Sequence, residues 1–343
     1  MRNVRVHCAQ EVGLSVHLGR YTAMLSGLTV SATLVWVALN AINWEELVVA
    51  LSDVKLFYLP AVAGSIGIGL YLRSARWRVI ASCARNEHMK FFTATTFGVA
   101  GNMILPGRLG EVIRIVALAR MLRSSIAHPL ASAVIDRSID VIFLTASVGI
   151  ITLCIPRFQA SAESQAIIAV FFCLLILTVL ALLRTQLAEK IACHLCRRLL
   201  SKLYSGSEGI LSDILAFMRA FTAQRGFVGL FLGLLILAAD YLALLGVLTS
   251  LDLELPWEAS WVLWIVFAAG SSIPSAPGYI GVYQVAAIWG LGFYGVTATV
   301  AVAAATVFQA TAFATVILAT MPQLILFRKL AGIVFRQNER QSK

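Results

Sequence analysis

The sequence has 343 residues, of which 59% are hydrophobic and only 13% are charged. About a quarter of the residues of a soluble domain are charged, so the composition excludes a water-soluble globular protein, together with the disordered, fibrous and disulfide-rich secreted classes. The formal net charge of +10 indicates basic loops that face anionic lipid rather than a nucleic-acid surface.

Six stretches are long and apolar enough to cross a bilayer as helices, which takes about 20 residues. In chain order they are residues 22–42, 56–72, 130–155, 166–183, 227–251 and 296–327. We expect the first to remain as an anchor, because Trp44, Glu45 and Glu46 follow it instead of a small-residue cleavage site.

The basic residues fall almost entirely on one side of these spans. Segments 1–21, 73–129, 184–226 and 328–343 hold 24 of the 27 Lys and Arg residues, whereas segments 43–55, 156–165 and 252–295 hold two. The remaining one, Arg137, lies inside a span. Because basic loops resist translocation, this split predicts that the N-terminus and the C-terminus are both cytoplasmic.

Two further segments are apolar but broken in the middle. Residues 91–120 are interrupted at Pro106 and Gly107, and residues 259–292 are interrupted at Pro277. Irregular backbone at membrane depth is tolerated only where protein or a water-filled cavity satisfies it, so each break predicts a buried polar site. The predicted fold is all-α: a polytopic integral membrane protein with about six full spans plus two inverted re-entrant helix pairs.

The two breaks share a sequence pattern, PGRLG at 106–110 and PGYIG at 277–281, at a spacing of 171 residues. Three predicted spans lie between them, an odd number, so the second copy is predicted to be upside down relative to the first. We expect one transmembrane domain over 1–343 that contains inverted repeats at about 56–155 and 227–327. Inverted repeats with broken helices are typical of transporters, whose binding site lies near the membrane midplane.

Four charged residues lie inside predicted spans: Asp136, Arg137 and Asp140 in the third, and Asp240 in the fifth. A charge at the bilayer centre costs about 2.5–3.5 kcal/mol on insertion scales, so these side chains are expected to face a cavity or one another. Asp136 and Asp140 are one helical turn apart, and Arg137 can reach Asp140. Two interpretations stay open: a structural pair that holds spans together, or the polar lining of a head-group or ion path.

The first break is followed by charged residues on a half-helix. Arg108, Glu111 and Arg114 lie after it, and the free N–H groups and partial positive charge of a helix N-terminus suit a phosphate. Alternatively, Arg114 extends to the cytoplasmic interface. Arg76 and Arg78 end the second span on the same side, where interface anchoring is an equally good interpretation.

The second break is polar but uncharged. It carries Ser275, Tyr279 and Tyr283, which are suited to contact a polar group without fixing it tightly. The alternative is a capped helix turn that is buried in protein.

These segments together resemble the flippase-like family defined by the transmembrane region of lysylphosphatidylglycerol synthases. The matching motifs are RSARWR at 73–78, NMILPGRLGEVIR at 102–114, DRSID at 136–140 and SAPGYIGVY at 275–283. The resemblance implies a membrane protein with re-entrant helices that moves a phospholipid or a polyprenyl-linked lipid between leaflets. The synthases also carry a C-terminal domain that transfers lysine from tRNA to lipid. Only 16 residues follow the last predicted span here, so we expect no aminoacyl transfer by this chain.

The predicted substrate-binding residues come from these motifs and from the fifth span. They are Arg76, Arg78, Asn102, Arg108, Glu111, Arg114, Asp136, Arg137, Asp140, Asp240, Ser275, Tyr279 and Tyr283. The arginines are expected to bind the head group, and the aspartates to offset their charge or carry protons.

Motifs for other kinds of chemistry are missing or weak. The sequence contains no GxxxxGKS/T phosphate loop and no HExxH zinc motif. Cys193 and Cys196 form one CxxC pair without the further ligands that a zinc site needs. We therefore expect no metal, no cofactor and no catalytic residue, and the chain is predicted not to be an enzyme.

Three functions are consistent with these features. The first is a flippase-like transporter for a phosphate-bearing phospholipid or polyprenyl-linked lipid. The second is a membrane glycosyltransferase that uses polyprenyl-phosphate sugars, with Glu45 or Glu46 as its base. The third is an accessory subunit of a lipid-modifying complex.

The expected partners are membrane lipids, either an anionic phospholipid or a polyprenyl-phosphate lipid, and no nucleic acid. A separately encoded lipid-modifying enzyme and a second copy of the chain in a homodimer are left open as further partners. The family resemblance implies a multi-pass protein of the bacterial cell inner membrane.

Overall fold

The structure is a computed structural model that describes residues 29, 31–106, 108–155, 158, 170, 213–214, 216–273 and 275–341. Within these residues the chain is helical and has no β-strand. Its helices are α1 Ser31–Asn40, α2 Trp44–Ser52, α3 Leu59–Ile80, α4 His88–Ile104, α5 Leu109–Leu122, α6 Ala127–Cys154, α7 Ala223–Ser250, α8 Trp257–Gly270, α9 Val282–Gly292 and α10 Ala298–Gln341. The predicted span at 166–183, the CxxC pair at 193–196 and Gly107 lie outside the described residues.

Four helical stretches in the described part of the chain are long and apolar enough to cross a membrane. They are Leu56–Ile80, Ala127–Cys154, Ala223–Ser250 and Ala298–Ile325. Helices α1 and α2, bent by 92° at the break between them, make a fifth if the pair is one span. The prediction of an all-α, multi-pass membrane protein is confirmed. The six full spans and the re-entrant course of the two broken segments stay predictions.

The second predicted span, at 56–72, ends too early. Helix α3 continues to Ile80 and carries Arg73 and Arg76 inside the helix. The uncharged stretch of the sequence ends before Arg73, which is why the predicted span stops there. In the folded protein, carboxylates on α7 and α6 pair with Arg73 and Arg76. A paired and hydrogen-bonded charge is tolerated in an apolar environment that excludes an isolated one.

Helices α3 and α7 pack against each other in antiparallel orientation. Gly229 near the start of α7 faces Ile80 at the end of α3, and Gly246 near the end of α7 faces Val62 near the start of α3. A β-carbon on Gly246 would lie only 2.7 Å from Cγ2 of Val62. Small residues at such contacts allow membrane helices to approach closely.

Helices α4 and α5 form an antiparallel hairpin with a close backbone contact. Gly98 of α4 lies against Arg114 of α5, and Gly101 lies against Gly110. A β-carbon on Gly110 would overlap the carbonyl oxygen of Gly98. The hairpin therefore depends on the absence of a side chain at this position.

Helices α8 and α9 form a second antiparallel hairpin. Gly270 at the end of α8 faces Val282 at the start of α9, and Gly290 near the end of α9 faces Val266 of α8. The turn between these helices contains Gly278, whose φ of 68° is left-handed, a conformation that suits glycine.

The order of elements repeats along the chain. Helices α6 and α10 begin at Ala127 and Ala298, which are offset by 171 residues, the spacing that separates the two PG motifs. At this offset α3 corresponds to α7, and the first hairpin corresponds to the second. Helices α3 and α7 run antiparallel, as an inverted repeat requires, and the inverted repeat and its boundaries stay predictions.

Candidate functional site

The breaks of the two hairpins meet at a central cavity of about 250 Å³. Asn102, Met103 and Arg108 line the cavity from the first hairpin, and Gly278 and Tyr279 line it from the second. Helices α3, α6, α7 and α10 contribute the remaining wall. The cavity therefore lies where the two halves of the chain come together.

Arg108 and Tyr279 occupy corresponding positions in the two breaks, and both have left-handed backbone. Their φ angles are 59° and 60°, and both residues line the cavity. A left-handed conformation costs a non-glycine residue about 1–3 kcal/mol and persists only where the surrounding structure holds it. The two breaks thus share a strained conformation at a residue that borders the cavity.

The most buried part of the charge network centres on Arg76, whose exposed fraction is 1%. Arg76 donates from Nε to Asp136 Oδ1 at 2.7 Å and from Nη2 to Asp140 Oδ1 at 2.6 Å. Nη1 of Arg114 lies 3.6 Å from Asp136 Oδ2. The Arg114 guanidinium also lies 4.7 Å from the ring centre of Trp77. These contacts join α3, α5 and α6, and loss of one partner leaves a buried charge uncompensated.

Arg137 and Glu111 form the accessible part of the network. Nη2 of Arg137 lies 2.9 Å from Glu111 Oε1, and its Nη1 donates to Asp140 Oδ2 at 2.9 Å. Glu111 also contacts Nε of Arg114 at 2.8 Å. The Arg137 side chain is 44% exposed, so a ligand can reach it without a rearrangement of the helices.

A separate ion pair joins α3 to α7. Arg73 donates from Nη2 to Asp240 Oδ2 at 2.6 Å, and Trp264 donates from Nε1 to the same oxygen at 3.1 Å. Gly69 leaves room for this pair, since a β-carbon there would lie 2.8 Å from Nη1 of Arg73. Asp240 is therefore held by two donors at the edge of the cavity.

The charged lining of the central cavity carries one positive charge in excess. It consists of Arg73, Arg76, Arg108, Arg114, Arg137, Glu111, Asp136, Asp140 and Asp240. Among the described residues, Arg108 is the arginine of this set without a carboxylate partner. Its Nε is buried and has no hydrogen-bond acceptor. Because an unsatisfied buried donor is unfavourable, the site favours an anion beside Arg108.

The wall of the cavity on the side of the second break is aromatic. Tyr279 stacks on Tyr283 with the ring centres 5.3 Å apart, and Tyr283 stacks on Phe267 with the ring centres 4.4 Å apart. Stacked rings are rigid and expose an apolar face. The cavity thus has an arginine-rich side and an aromatic side.

A chain of side-chain amides holds the second break in place. Gln309 of α10 donates to the carbonyl oxygen of Gly278 at 2.8 Å and accepts from Gln284 at 2.6 Å. Gln284 in turn accepts from the N–H of Gly281 at 2.8 Å. The turn is therefore tied both to its own hairpin and to α10.

Arg108 and Arg137 also line two neighbouring clefts whose other lining residues are mostly apolar. One cleft, of about 450 Å³, lies between α6, α7 and α8. The other, of about 460 Å³, lies between α5 and α6. Val141 lines both clefts and is 43% exposed. An anion that contacts both arginines has apolar surface on two sides.

The comparison with known families agrees with this geometry. A family model described as the lysylphosphatidylglycerol synthase TM region matches residues 24–319, which is most of the chain. The chain belongs to this family. The family consists of membrane proteins related to lipid handling. No curated protein and no solved structure matches the chain.

In this member of the lysylphosphatidylglycerol synthase TM-region family, eleven of the thirteen predicted site residues line the central cavity. The exceptions are Arg78 and Ser275. Arg78 lines a separate pocket, because two positions beyond Arg76 a helix presents its opposite face. Ser275 is 3% exposed and is followed by Ala276, whose N–H donates to Oγ of Ser31 at 2.6 Å.

The interpretation that Arg76 and Arg114 extend to the membrane interface is wrong. Both side chains are buried, at 1% and 5% exposure of the residue, and both pair with Asp136. The residues of the DRSID segment differ in exposure: the Asp136 side chain is 2% exposed and pairs with Arg76, whereas those of Arg137 and Asp140 are 44% and 35% exposed. All three line the cavity, and both interpretations of the segment stay open.

Four polar or charged cavity residues are missing from the set predicted from the sequence: Arg73, Thr95, Ser271 and Gln309. Arg73 falls in a segment that the charge count places in the cytoplasm, although its i, i+3 spacing to Arg76 puts both on one face of a helix and is a usable signal. Thr95 and Gln309 also line the cavity. They are uncharged residues in apolar helices, so neither carries a signal of its own.

Proposed function

We propose that the chain is a flippase-like transporter that moves a phosphate-bearing phospholipid or polyprenyl-linked lipid between leaflets, without catalytic chemistry of its own. The observation that carries the proposal is the unpaired guanidinium of Arg108, which borders the same cavity as Arg137 between the two broken hairpins. Guanidinium groups bind phosphate through charge-assisted hydrogen bonds.

The apolar clefts support a lipid rather than a soluble phosphate. Arg108 and Arg137 line both clefts together with apolar side chains, among them Leu144 in one cleft and Val134 in the other. A head group at the arginines would leave its hydrocarbon chains in these clefts, at the lipid-facing surface of α6. The apolar surface then contributes to binding through the hydrophobic effect.

The carboxylates make head-group binding reversible. In the structure Arg137 contacts Glu111 and Asp140, and an incoming phosphate competes with both for the same guanidinium. When the lipid leaves, Glu111 and Asp140 compensate Arg137 again, and Arg108 is the cavity arginine that loses its countercharge. Competition at Arg137 therefore weakens head-group binding and favours release of the lipid.

Reconstitution of the purified chain into vesicles with fluorescently labelled lipids tests this proposal. We expect lipid to exchange between leaflets faster than in protein-free vesicles, for at least one of phosphatidylglycerol, phosphatidylethanolamine and a polyprenyl phosphate. Arg108→Gln should slow this exchange by about tenfold or more, from the loss of a charge-assisted hydrogen bond. Arg120→Gln is the matched control, because Arg120 is exposed on α5 and lines neither the central cavity nor the two clefts. Exchange no faster than in empty vesicles for every lipid, or an unchanged rate in Arg108→Gln, would contradict the proposal.

No observation favours the glycosyltransferase alternative. Glu45 and Glu46 lie in the first turn of α2, and their N–H groups donate to the capping side chain of Asn43. Oε1 of Glu46 accepts from Thr297 at 3.0 Å, and neither carboxylate lines the central cavity or the two clefts. We expect the double variant Glu45→Gln, Glu46→Gln to transport lipid at the rate of the unmodified chain.

We further propose that the protein lies in the bacterial inner membrane with both termini cytoplasmic. The distribution of basic residues, 24 on one side and two on the other, supports this orientation. Reporter fusions at the C-terminus that are active only in the cytoplasm test it. Activity of a reporter that works only outside the cytoplasm would contradict it.

A further inference from the structure

A pocket outside the central cavity lies where α3 ends and α7 begins. It has a volume of about 350 Å³ and shares no lining residue with the central cavity. Its lining residues are Arg78, Val79, Ser82, Cys83, Gln224, Arg225 and Val228. By the charge count of the sequence, this end of α3 is the predicted cytoplasmic end.

The pocket contains two guanidinium groups and no carboxylate. Arg78 donates to the carbonyl oxygen of Cys83 at 3.4 Å, and Arg225 donates to that of Ala220 at 3.3 Å. Nε of Arg78 is buried without an acceptor. Within the described ranges neither arginine has an ion-pair partner, and nearby Glu87 pairs with Lys90 at 2.6 Å. Two like charges that line one pocket repel each other, and an anion between them would relieve the repulsion.

The surroundings of the pocket fit a lipid. Val79 and Val228 form its apolar wall, and the next residues along the outer face of α7, Phe227 and Leu230, are exposed by 73% and 40%. Basic pockets between membrane helices at the cytoplasmic side are typical sites for lipid head groups. We propose that Arg78 and Arg225 bind the phosphate of an anionic phospholipid at this pocket, at a site distinct from the central cavity and independent of transport.

Native mass spectrometry of the full chain in non-ionic detergent, titrated with phosphatidylglycerol, tests this site. Arg78→Gln with Arg225→Gln should weaken the binding of one phosphatidylglycerol by about thirtyfold, from the loss of two basic contacts. The charge-conserving pair Arg78→Lys, Arg225→Lys should retain most of the binding, which excludes misfolding as the cause. Arg85→Gln with Arg123→Gln removes the same charge from exposed positions outside the pocket and should leave binding unchanged.

Two further measurements distinguish this pocket from the central cavity and from a site for free phosphate. The loss should be the same size in an Arg108→Gln background, because the central cavity is a different site. Inorganic phosphate at the concentration of the lipid should not displace the lipid. The proposal is overturned if the Arg78, Arg225 glutamine variant binds like the unmodified chain, if the exposed control pair loses as much binding, if the loss vanishes in the Arg108→Gln background, or if free phosphate replaces the lipid.

Discussion

Burial divides the arginines of the central cavity into two kinds. Arg76 and Arg114 are covered on all sides and share the buried carboxylate of Asp136, whereas Arg137 is nearly half exposed. A fully buried ion pair is costly to break but contributes little net stability relative to apolar packing. The buried arginines are therefore expected to hold the helices together, and the accessible ones to bind ligand.

Substitution of Arg76 tests the structural role. We expect Arg76→Gln to destabilise the protein by about 3–5 kcal/mol, because Asp136 and part of Asp140 would remain buried without a countercharge. Thermal unfolding of the purified protein in detergent, together with its yield as a monodisperse species, measures this effect. Arg120→Gln, on the exposed surface of α5, is the control and should unfold at the temperature of the unmodified chain.

Substitution of Arg137 tests the binding role at the same cavity. We expect Arg137→Gln to unfold near the temperature of the unmodified chain, because solvent or lipid head groups already screen this half-exposed group. Lipid exchange in reconstituted vesicles should nevertheless fall by about tenfold. A variant that unfolds as readily as Arg76→Gln would show that Arg137 is structural instead.

At the scale of elements, the first hairpin depends on glycine contacts between α4 and α5. A β-carbon at Gly110 would overlap the carbonyl of Gly98 and approach Asn102. We expect Gly110→Ala to destabilise the protein by about 1–3 kcal/mol, the usual cost of overpacking. Gly64→Ala in α3, where nothing lies within 4 Å of the added carbon, is the matched control. It should leave stability unchanged or raise it, since alanine is the better helix former.

The second hairpin depends on the amide chain from Gln284 through Gln309 to Gly278. Gln309→Leu removes the donor to the Gly278 carbonyl and the acceptor of Gln284. We expect amide hydrogen exchange to speed up over residues 277–283, while exchange in α6 stays unchanged. Thr315→Val, which loses only a bond to the carbonyl of its own helix, is the control. Equal exchange in the Gln309 variant and the unmodified chain would show that the turn does not need this support.

At the scale of the whole molecule, the sequence is sufficient to predict the membrane class, the two breaks and most of the polar and charged residues of the cavity. Charged residues in apolar segments and the paired PG motifs are local signals, and they identify Arg108 and Asp240. Partners on other helices are not predictable, because pairing of Arg76 with Asp136 or of Arg73 with Asp240 depends on how each helix is rotated about its axis. Arg78 lies on the face of α3 opposite Arg76, and it therefore lines a different pocket.

Thiol labelling tests most directly whether the two breaks enclose a water-filled, positively charged cavity. In a chain whose six cysteines are replaced by serine, Asn102→Cys and Ser271→Cys introduce thiols at the cavity wall, and Ala94→Cys introduces one in the fully buried core. We predict that small charged methanethiosulfonates modify positions 102 and 271 but not 94. At position 102 the anionic reagent should react faster than the cationic one, relative to free thiol, because of Arg108. No reaction at either cavity position, or a preference for the cationic reagent at 102, would contradict a wet, cationic cavity between the two breaks.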